Sequence, residues 1–299
     1  MDIQTQHSNY GKGLFYGIIC YFTWGLFPLY WKMLEHVSSF EILCHRIIWS
    51  CVFMAVFFWR VRKMTIKHYI RGIKQYLLLL FTGSLMTLNW GLYIWAINHH
   101  YIVESSLGYY INPLFSVLFA SLFLKESLNK SQKIAIVFAL IGVLYFAVDY
   151  GRFPIISLVL ATSFAIYGLM KKKMAIDATA ALTVETMWMA PLALGYLATM
   201  CYSGNSAFNT LHLPTILLLL GAGIVTALPL LWFGKSAERI PLSTLGFLQY
   251  VSPTMQLLLG VLLFGEHFTA SHIVCFSCIW VGLIIYSVDI IRSVRRNKK

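Results

Sequence analysis

Residues 110–149 recur without a gap as residues 250–289, pairing Tyr110 with Tyr250, Pro113 with Pro253, Glu126 with Glu266, Ser131 with Ser271, Gly142 with Gly282, Val148 with Val288 and Asp149 with Asp289. Just upstream, displaced by two residues, Ser105-Ser106-Leu107-Gly108 matches Ser243-Thr244-Leu245-Gly246. The likeness covers two hydrophobic segments and their connection, so the chain is built from two related halves. Expected boundaries are 1–150 for the first half, and 151–299 for the second with its basic tail.

The medium of these halves follows from their apolar content. With 59% hydrophobic and 11% charged residues, and a mean hydropathy of +0.72, a soluble domain of this length lacks the interior to hide its apolar surface. One crossing of a bilayer takes about 20 mostly apolar residues. Such runs lie at 13–34, 40–60, 76–98, 102–124, 132–149, 154–174, 178–203, 213–234, 242–264 and 271–291. The expected fold class is therefore all-α integral membrane, with ten transmembrane helices.

Positive charge tests the count, because cytoplasmic connections collect Lys and Arg. With the N-terminus inside, the inner side holds Lys12, Arg60, Arg62, Lys63, Lys67, Arg71, Lys74, Lys125, Lys130, Lys133, Lys171, Lys172, Lys173, Lys235, Arg239, Arg292, Arg295, Arg296, Lys298 and Lys299. The outer side holds Lys32 and Arg152, and Arg46 lies within a span. A miscounted helix would scramble this separation, so both termini are expected in the cytoplasm. The net charge of +12 is then a matter of topology, and no nucleic-acid partner is expected.

Ten helices divide into two fives, and an odd number per half makes the second copy enter the membrane from the opposite side. Charge supports the inversion: Lys125, Lys130 and Lys133 surround Glu126, whereas Gly265, Ala270 and Ile273 occupy the same places around Glu266. An inverted repeat has two nearly equal packings, one open to each side, with a substrate site near the midplane. Alternating access by a secondary transporter is the mechanism expected.

Polar residues within the spans are candidates for that site, since lipid does not tolerate them. Helix 2 carries Glu41, His45 and Arg46, placing a carboxylate within about one turn of two bases. Arg46 is expected to bind an acceptor on the substrate, with Glu41 and His45 gating or titrating beside it; the alternative is an internal ion pair locking helix 2 to a neighbour. On helix 7, Glu185 is either a lone carboxyl carrying a coupling proton or a partner for a lysine of the 171–173 cluster. Helices 4 and 9 are each expected to break at a midspan proline, Pro113 or Pro253, freeing a backbone carbonyl one turn earlier. Tyr109, Tyr110, Asn112, Gln249, Tyr250 and Ser252 cluster at those breaks as cavity lining or as partners for the freed carbonyls. Asn89, Trp90 and Tyr93 on helix 3 and Tyr167 on helix 6 complete the cavity set, whereas Trp31 and Trp59 near span ends read as interface anchors. Gly142 and Gly282 are expected to let helices 5 and 10 approach closely, and Glu126 and Glu266 to cap or pair with loops.

Other chemistries find no footing. Cys275-x-x-Cys278 lies in an apolar span and reads as small buried hydrophobes. There is no Walker loop, H-E-x-x-H, G-x-S-x-G or dinucleotide fingerprint in the sequence. The chain is expected to be no enzyme, with no catalytic residues, cofactor or metal. Its expected partners are a small-molecule substrate and the lipid bilayer, as a monomer or otherwise.

Several motifs together carry a family resemblance: Trp24-Gly25-Leu26-Phe27-Pro28-Leu29-Tyr30, Glu41-Ile42-Leu43-Cys44-His45-Arg46, Asn89-Trp90, Ser106-Leu107-Gly108-Tyr109-Tyr110-Ile111-Asn112-Pro113, Val184-Glu185-Thr186-Met187-Trp188 and Leu242-Ser243-Thr244-Leu245-Gly246-Phe247-Leu248-Gln249-Tyr250. Over nearly its whole length the chain resembles the RarD subgroup of the EamA family, in the drug/metabolite transporter superfamily. The resemblance implies a bacterial inner-membrane protein with two inverted EamA repeats. The subgroup is named for a chloramphenicol-sensitivity phenotype, and relatives move amino acids, nucleotide sugars or other metabolites. The expected ligand is small, partly apolar, and zwitterionic or anionic, such as an amino acid or an amphenicol. A membrane sensor or scaffold on a transporter fold is the alternative, followed by an integral-membrane enzyme using Glu41 and His45 as acid and base.

Overall fold

The computed structural model describes residues 3–62, 65–99, 101–210, 212–263 and 269–296, and among these there are helices and no strand. The order is α1 (Ile3–Gly25), α2 (Phe27–Lys32), α3 (Ser39–Arg62), α4 (Ile66–Tyr69), α5 (Gly72–Asn98), α6 (Ile102–Leu124), α7 (Lys130–Tyr150), α8 (Ile155–Met174), α9 (Ala178–Tyr202), α10 (Leu213–Ala237), α11 (Leu242–Leu248), α12 (Val251–Leu262) and α13 (Ala270–Arg296), with a 3-10 turn at Ala207–Thr210. Among the described residues, nine segments are long and apolar enough to cross a membrane. The tenth expected span is present as α9, whose 25 residues exceed the length needed; Glu185 and four threonines between 179 and 199 lower its hydropathy. Outward faces carry Phe15, Leu88, Leu192 and Leu262, all well exposed, as a lipid-facing surface requires.

Local signals set the helix ends. Asn129 caps α7 with a reciprocal Gln132 capping box, and Gly151, at φ 71°, ends it in the left-handed conformation. Asp177 caps α9 through the Thr179 and Ala180 amides. The first span bends at Leu26, where Pro28 sits in the opening turn of α2.

The prolines of the repeat behave differently from each other. The ninth span is interrupted at Gln249–Tyr250, between α11 and α12, where the Ser252 amide reaches the Gln249 carbonyl in a tightened turn (3.1 Å). The fourth does not break, because α6 runs through Pro113 as one helix. Proline removes one amide and crowds one carbonyl; neighbouring intrahelical bonds suffice to hold α6 together.

The chain packs as two compact units, one of residues 1–95 and 170–240, the other of residues 96–169 and 241–299. Each unit draws helices from both sequence halves, so the division at 150/151 is not where the packing divides. In the first unit α3 packs on α9 through Leu43, Ile47, Met189 and Ala193. It also packs against α10, where Gly223 lets the backbones close: an added Cβ would stand 2.2 Å from the Trp49 carbonyl carbon.

In the second unit α7 and α13 pack with reciprocal contacts. A Cβ on Gly142 would lie 2.7 Å from the Cys275 oxygen, and one on Gly282 would lie 2.8 Å from the Ala135 oxygen. Ala135 and Cys275 are themselves repeat equivalents, 140 residues apart. Residue numbers rise along α7 as they fall along α13, so equivalent helices run antiparallel about a local pseudo-two-fold, as inversion demands. The Ser271 hydroxyl on Asp149 (2.6 Å) and the Asn129 amide on Asp289 (2.6 Å) extend the exchange to both ends.

Candidate functional site

Arg46 is a half-buried cation on α3 in the first unit. Its guanidinium lies 4.4 Å from the Trp90 ring centroid and 4.8 Å from that of Trp31, and its Nε donates to Thr226 Oγ1 at 3.0 Å. Indole faces attract a cation, more so where water is excluded. The charge is thereby held, half-buried, against two indole rings and a hydroxyl. Sequence reasoning assigns Trp31 to the interface, yet the bend at Leu26 turns this residue onto Arg46. Thr226 was missed; its only signal is a hydroxyl on the buried face of a strongly apolar helix. Asn89 and Tyr93, one turn apart on α5, are half-buried and flank Trp90 in sequence.

Glu41 and His45 have a fastening role. Glu41 Oε1 accepts from Ser206 Oγ (2.6 Å) and from the Ala207 amide (2.7 Å), tying the connection between α9 and α10 to α3. His45 stacks on Phe208 with centroids 4.7 Å apart, and its Nδ1 accepts from Trp49 Nε1 at 3.1 Å. The acceptor role of Nδ1 places the ring proton on Nε2 when the imidazole is neutral. That nitrogen is 3.9 Å from Glu41 Oε1.

Glu185 is not a lone carboxyl. Lys171 Nζ lies 2.7 Å from its Oε2, and Thr82 donates to Oε1 at 2.5 Å, with both members of the ion pair buried. Of the two readings open in the sequence, pairing with the lysine cluster is the one the geometry displays. Gly83 makes room, since a Cβ there would be 3.1 Å from the Glu185 carbonyl oxygen.

The remaining candidates lie in the second unit. Tyr110 and Tyr250 are core residues: Tyr110 packs edge-on to Phe146 and Phe276, and Tyr250 donates to the Tyr110 carbonyl at 3.3 Å. Tyr109 is the exposed member, while Tyr167 is buried. Ser252 is buried beside Pro253 and accepts from Gln256 Nε2 at 3.4 Å. Asn112 and Gln249 are buried amides on α6 and at the α11–α12 break, with Gln249 Nε2 donating to Ser116 Oγ at 3.2 Å. Glu126 sits apart and caps α11, accepting from the Leu242 and Ser243 amides and from Ser243 Oγ at 2.7–2.9 Å. Its repeat equivalent, Glu266, lies outside the described residues. Glu126→Ala is expected to cost about 1–2 kcal/mol by leaving those amides without an anionic cap, measured as a lower thermal midpoint of purified protein; an unchanged midpoint would remove the cap from the account.

A model of the EamA-like transporter family matches residues 11–148. The chain is 44% identical to an uncharacterized transporter, YojE, of Bacillus subtilis (strain 168), with 98% of this chain and 99% of that one aligned. It is 42% identical to protein RarD of Escherichia coli (strain K12), covering 96% and 98%. A chloramphenicol-sensitive protein RarD of Pseudomonas aeruginosa is 30% identical, over 97% and 98%. One solved structure, described as a crystal structure of protein, superposes with a TM-score of 0.70 over 93% of this chain and 98% of that one; at 15% identity it speaks for the fold alone.

Proposed function

The chain belongs to the EamA-like transporter family, within its RarD subgroup, and from that premise we propose a secondary active transporter working by alternating access on small, partly apolar, zwitterionic or anionic molecules. Amino acids, related metabolites and amphenicols are the compounds to try. Its setting is the bacterial inner membrane, with both termini cytoplasmic. The observation that carries the substrate class is the Arg46 cation, held by Trp31, Trp90 and Thr226. The two indole faces keep the guanidinium in a half-buried, low-dielectric place, where its charge attracts the carboxylate of a substrate. Asn89 and Tyr93, half-buried on α5 beside Trp90 in the same unit, supply stacking and hydrogen bonds to the rest of the ligand. Glu41 and His45 gate by holding or releasing the 206–207 connection, and Glu185 couples through its exchangeable partner Lys171.

Counterflow into proteoliposomes tests this. Vesicles loaded with one unlabelled amino acid or amphenicol should accumulate the labelled compound above empty vesicles. Arg46→Ala should lower that accumulation at least tenfold, corresponding to about 1.4 kcal/mol or more of lost charge-assisted binding. Arg46→Lys should recover little, since a point charge lacks the planar fork. Folded protein with unchanged kinetics in Arg46→Ala would remove Arg46 from the site. Binding without flux would favour the sensor reading.

A further inference from the structure

Two amide oxygens in the second unit have nothing to accept from. Asn112 Oδ1 and Gln249 Oε1 are buried and meet no hydrogen-bond donor among the described residues, on side chains whose residues are only 8% and 5% exposed. They belong to one place. Gln249 Nε2 bonds Ser116 Oγ, and Ser116 follows Asn112 by one helical turn on the same face of α6. Gly246 keeps α11 against that turn, where a Cβ would meet Ser116 Cβ at 3.0 Å and the Pro113 oxygen at 3.2 Å. The same stretch of α6 contains Pro113, whose ring nitrogen cannot donate to the Tyr109 carbonyl one turn back. A buried acceptor without a donor destabilises the state that contains it, so sequence positions that keep two of them on packed turns of α6 and α11 call for a ligand that donates.

We propose that Asn112 Oδ1 and Gln249 Oε1 are an acceptor pair for an ammonium group of the transported molecule. The proposal rests on the transporter reading and narrows its substrates to amine-bearing ones. An ammonium offers three donors in a compact head and no acceptor, matching a pair of acceptors. The two oxygens are closed to solvent here, so the ammonium enters when α11 moves from α6, at the break already present at Gln249–Tyr250. A protonated amine is thereby stripped of water only where fixed dipoles replace it.

The test uses purified full-length protein and its thermal midpoint, with L-phenylalaninamide as ammonium-bearing probe and 3-phenylpropanamide as the same skeleton without it. Wild type should be protected by the first and not by the second. Asn112→Leu and Gln249→Met should keep or raise the ligand-free midpoint, and weaken protection by phenylalaninamide roughly tenfold or more. Asn112→Asp should retain it. Three results overturn the pair: a wild type indifferent to the ammonium, protection that survives both apolar replacements, or ligand-free midpoints that fall by several degrees in both, which would mark the amides as structural. Protection without counterflow of any amine would sink the transport reading and leave the acceptor pair standing. Counterflow of compounds regardless of the ammonium would do the reverse.

Discussion

Replacing Lys171 by Met will destabilise the protein by about 3–5 kcal/mol, because it takes the cation from a buried carboxylate, Glu185. The pair is closed from both sides: Nζ to Oε2 is 2.7 Å, Thr82 holds the other oxygen, and the two charged side chains are 5% and 4% exposed. Glu185→Gln alone should also destabilise, by removing the anionic partner of the buried Lys171 ammonium. The double variant, Lys171→Met with Glu185→Gln, should recover most of the loss, since removing both charges removes both desolvation penalties. Thermal midpoints of the three variants form a double-mutant cycle whose coupling should reach at least about 2 kcal/mol. Additive losses would show that the contact is not a closed pair. Flux in the double variant carries separate information. If Glu185 couples transport by exchanging its partner, the stable double variant should run downhill exchange and fail to concentrate substrate.

Gly223→Ala should be the most damaging single methyl in the first unit. Its Cβ would meet Trp49 at 2.2 and 2.4 Å and the Ser50 amide nitrogen at 2.6 Å, and these include backbone atoms that no rotamer change can move. Relief requires α3 and α10 to part, which also stretches the bond from Ser50 Oγ to the Gly223 carbonyl (2.9 Å). Overpacking of this kind costs about 1–3 kcal/mol. The position matters for function as well: Trp49 follows Arg46 by three residues and Thr226 follows Gly223 by three, so the parted helices are those that join Arg46 to Thr226. Transport should fall further than stability, seen as counterflow lost at temperatures where the variant is still folded. Gly195→Ala is the control, with nothing within 4 Å of its added Cβ; it should be neutral or stabilising by up to about 1 kcal/mol. Equal effects at the two positions would rule out the close approach of α3 and α10 as the cause.

Much of the fold was legible because membrane insertion imposes rules that act along the chain. A span must be about 20 apolar residues whatever it packs against, so nine spans could be read off hydropathy, and α9 too despite its Glu185 and threonines. The repeat supplied Gly142 and Gly282, whose lack of a side chain shows in the reciprocal α7–α13 contacts. Proline was less informative, since Pro113 and Pro253 occur in equivalent motifs but only the ninth span, which holds Pro253, is interrupted. A missing amide does not say how the freed carbonyl is compensated, and that depends on neighbours.

The sequence by itself determined a helical membrane protein with an internal repeat, its family, and the list of polar side chains that lipid would reject. Those features depend on composition and order, which are local. Tertiary structure alone decided the pairings: that Glu185 meets Lys171 and Thr82, that Glu41 holds the 206–207 connection, that Trp31 lies on Arg46, and that Asn112 and Gln249 keep oxygens without donors. A polar residue in a span announces that it needs a partner, yet its partner sits on another helix, and helix rotation and depth are set by packing rather than by the residue's own neighbours in the chain.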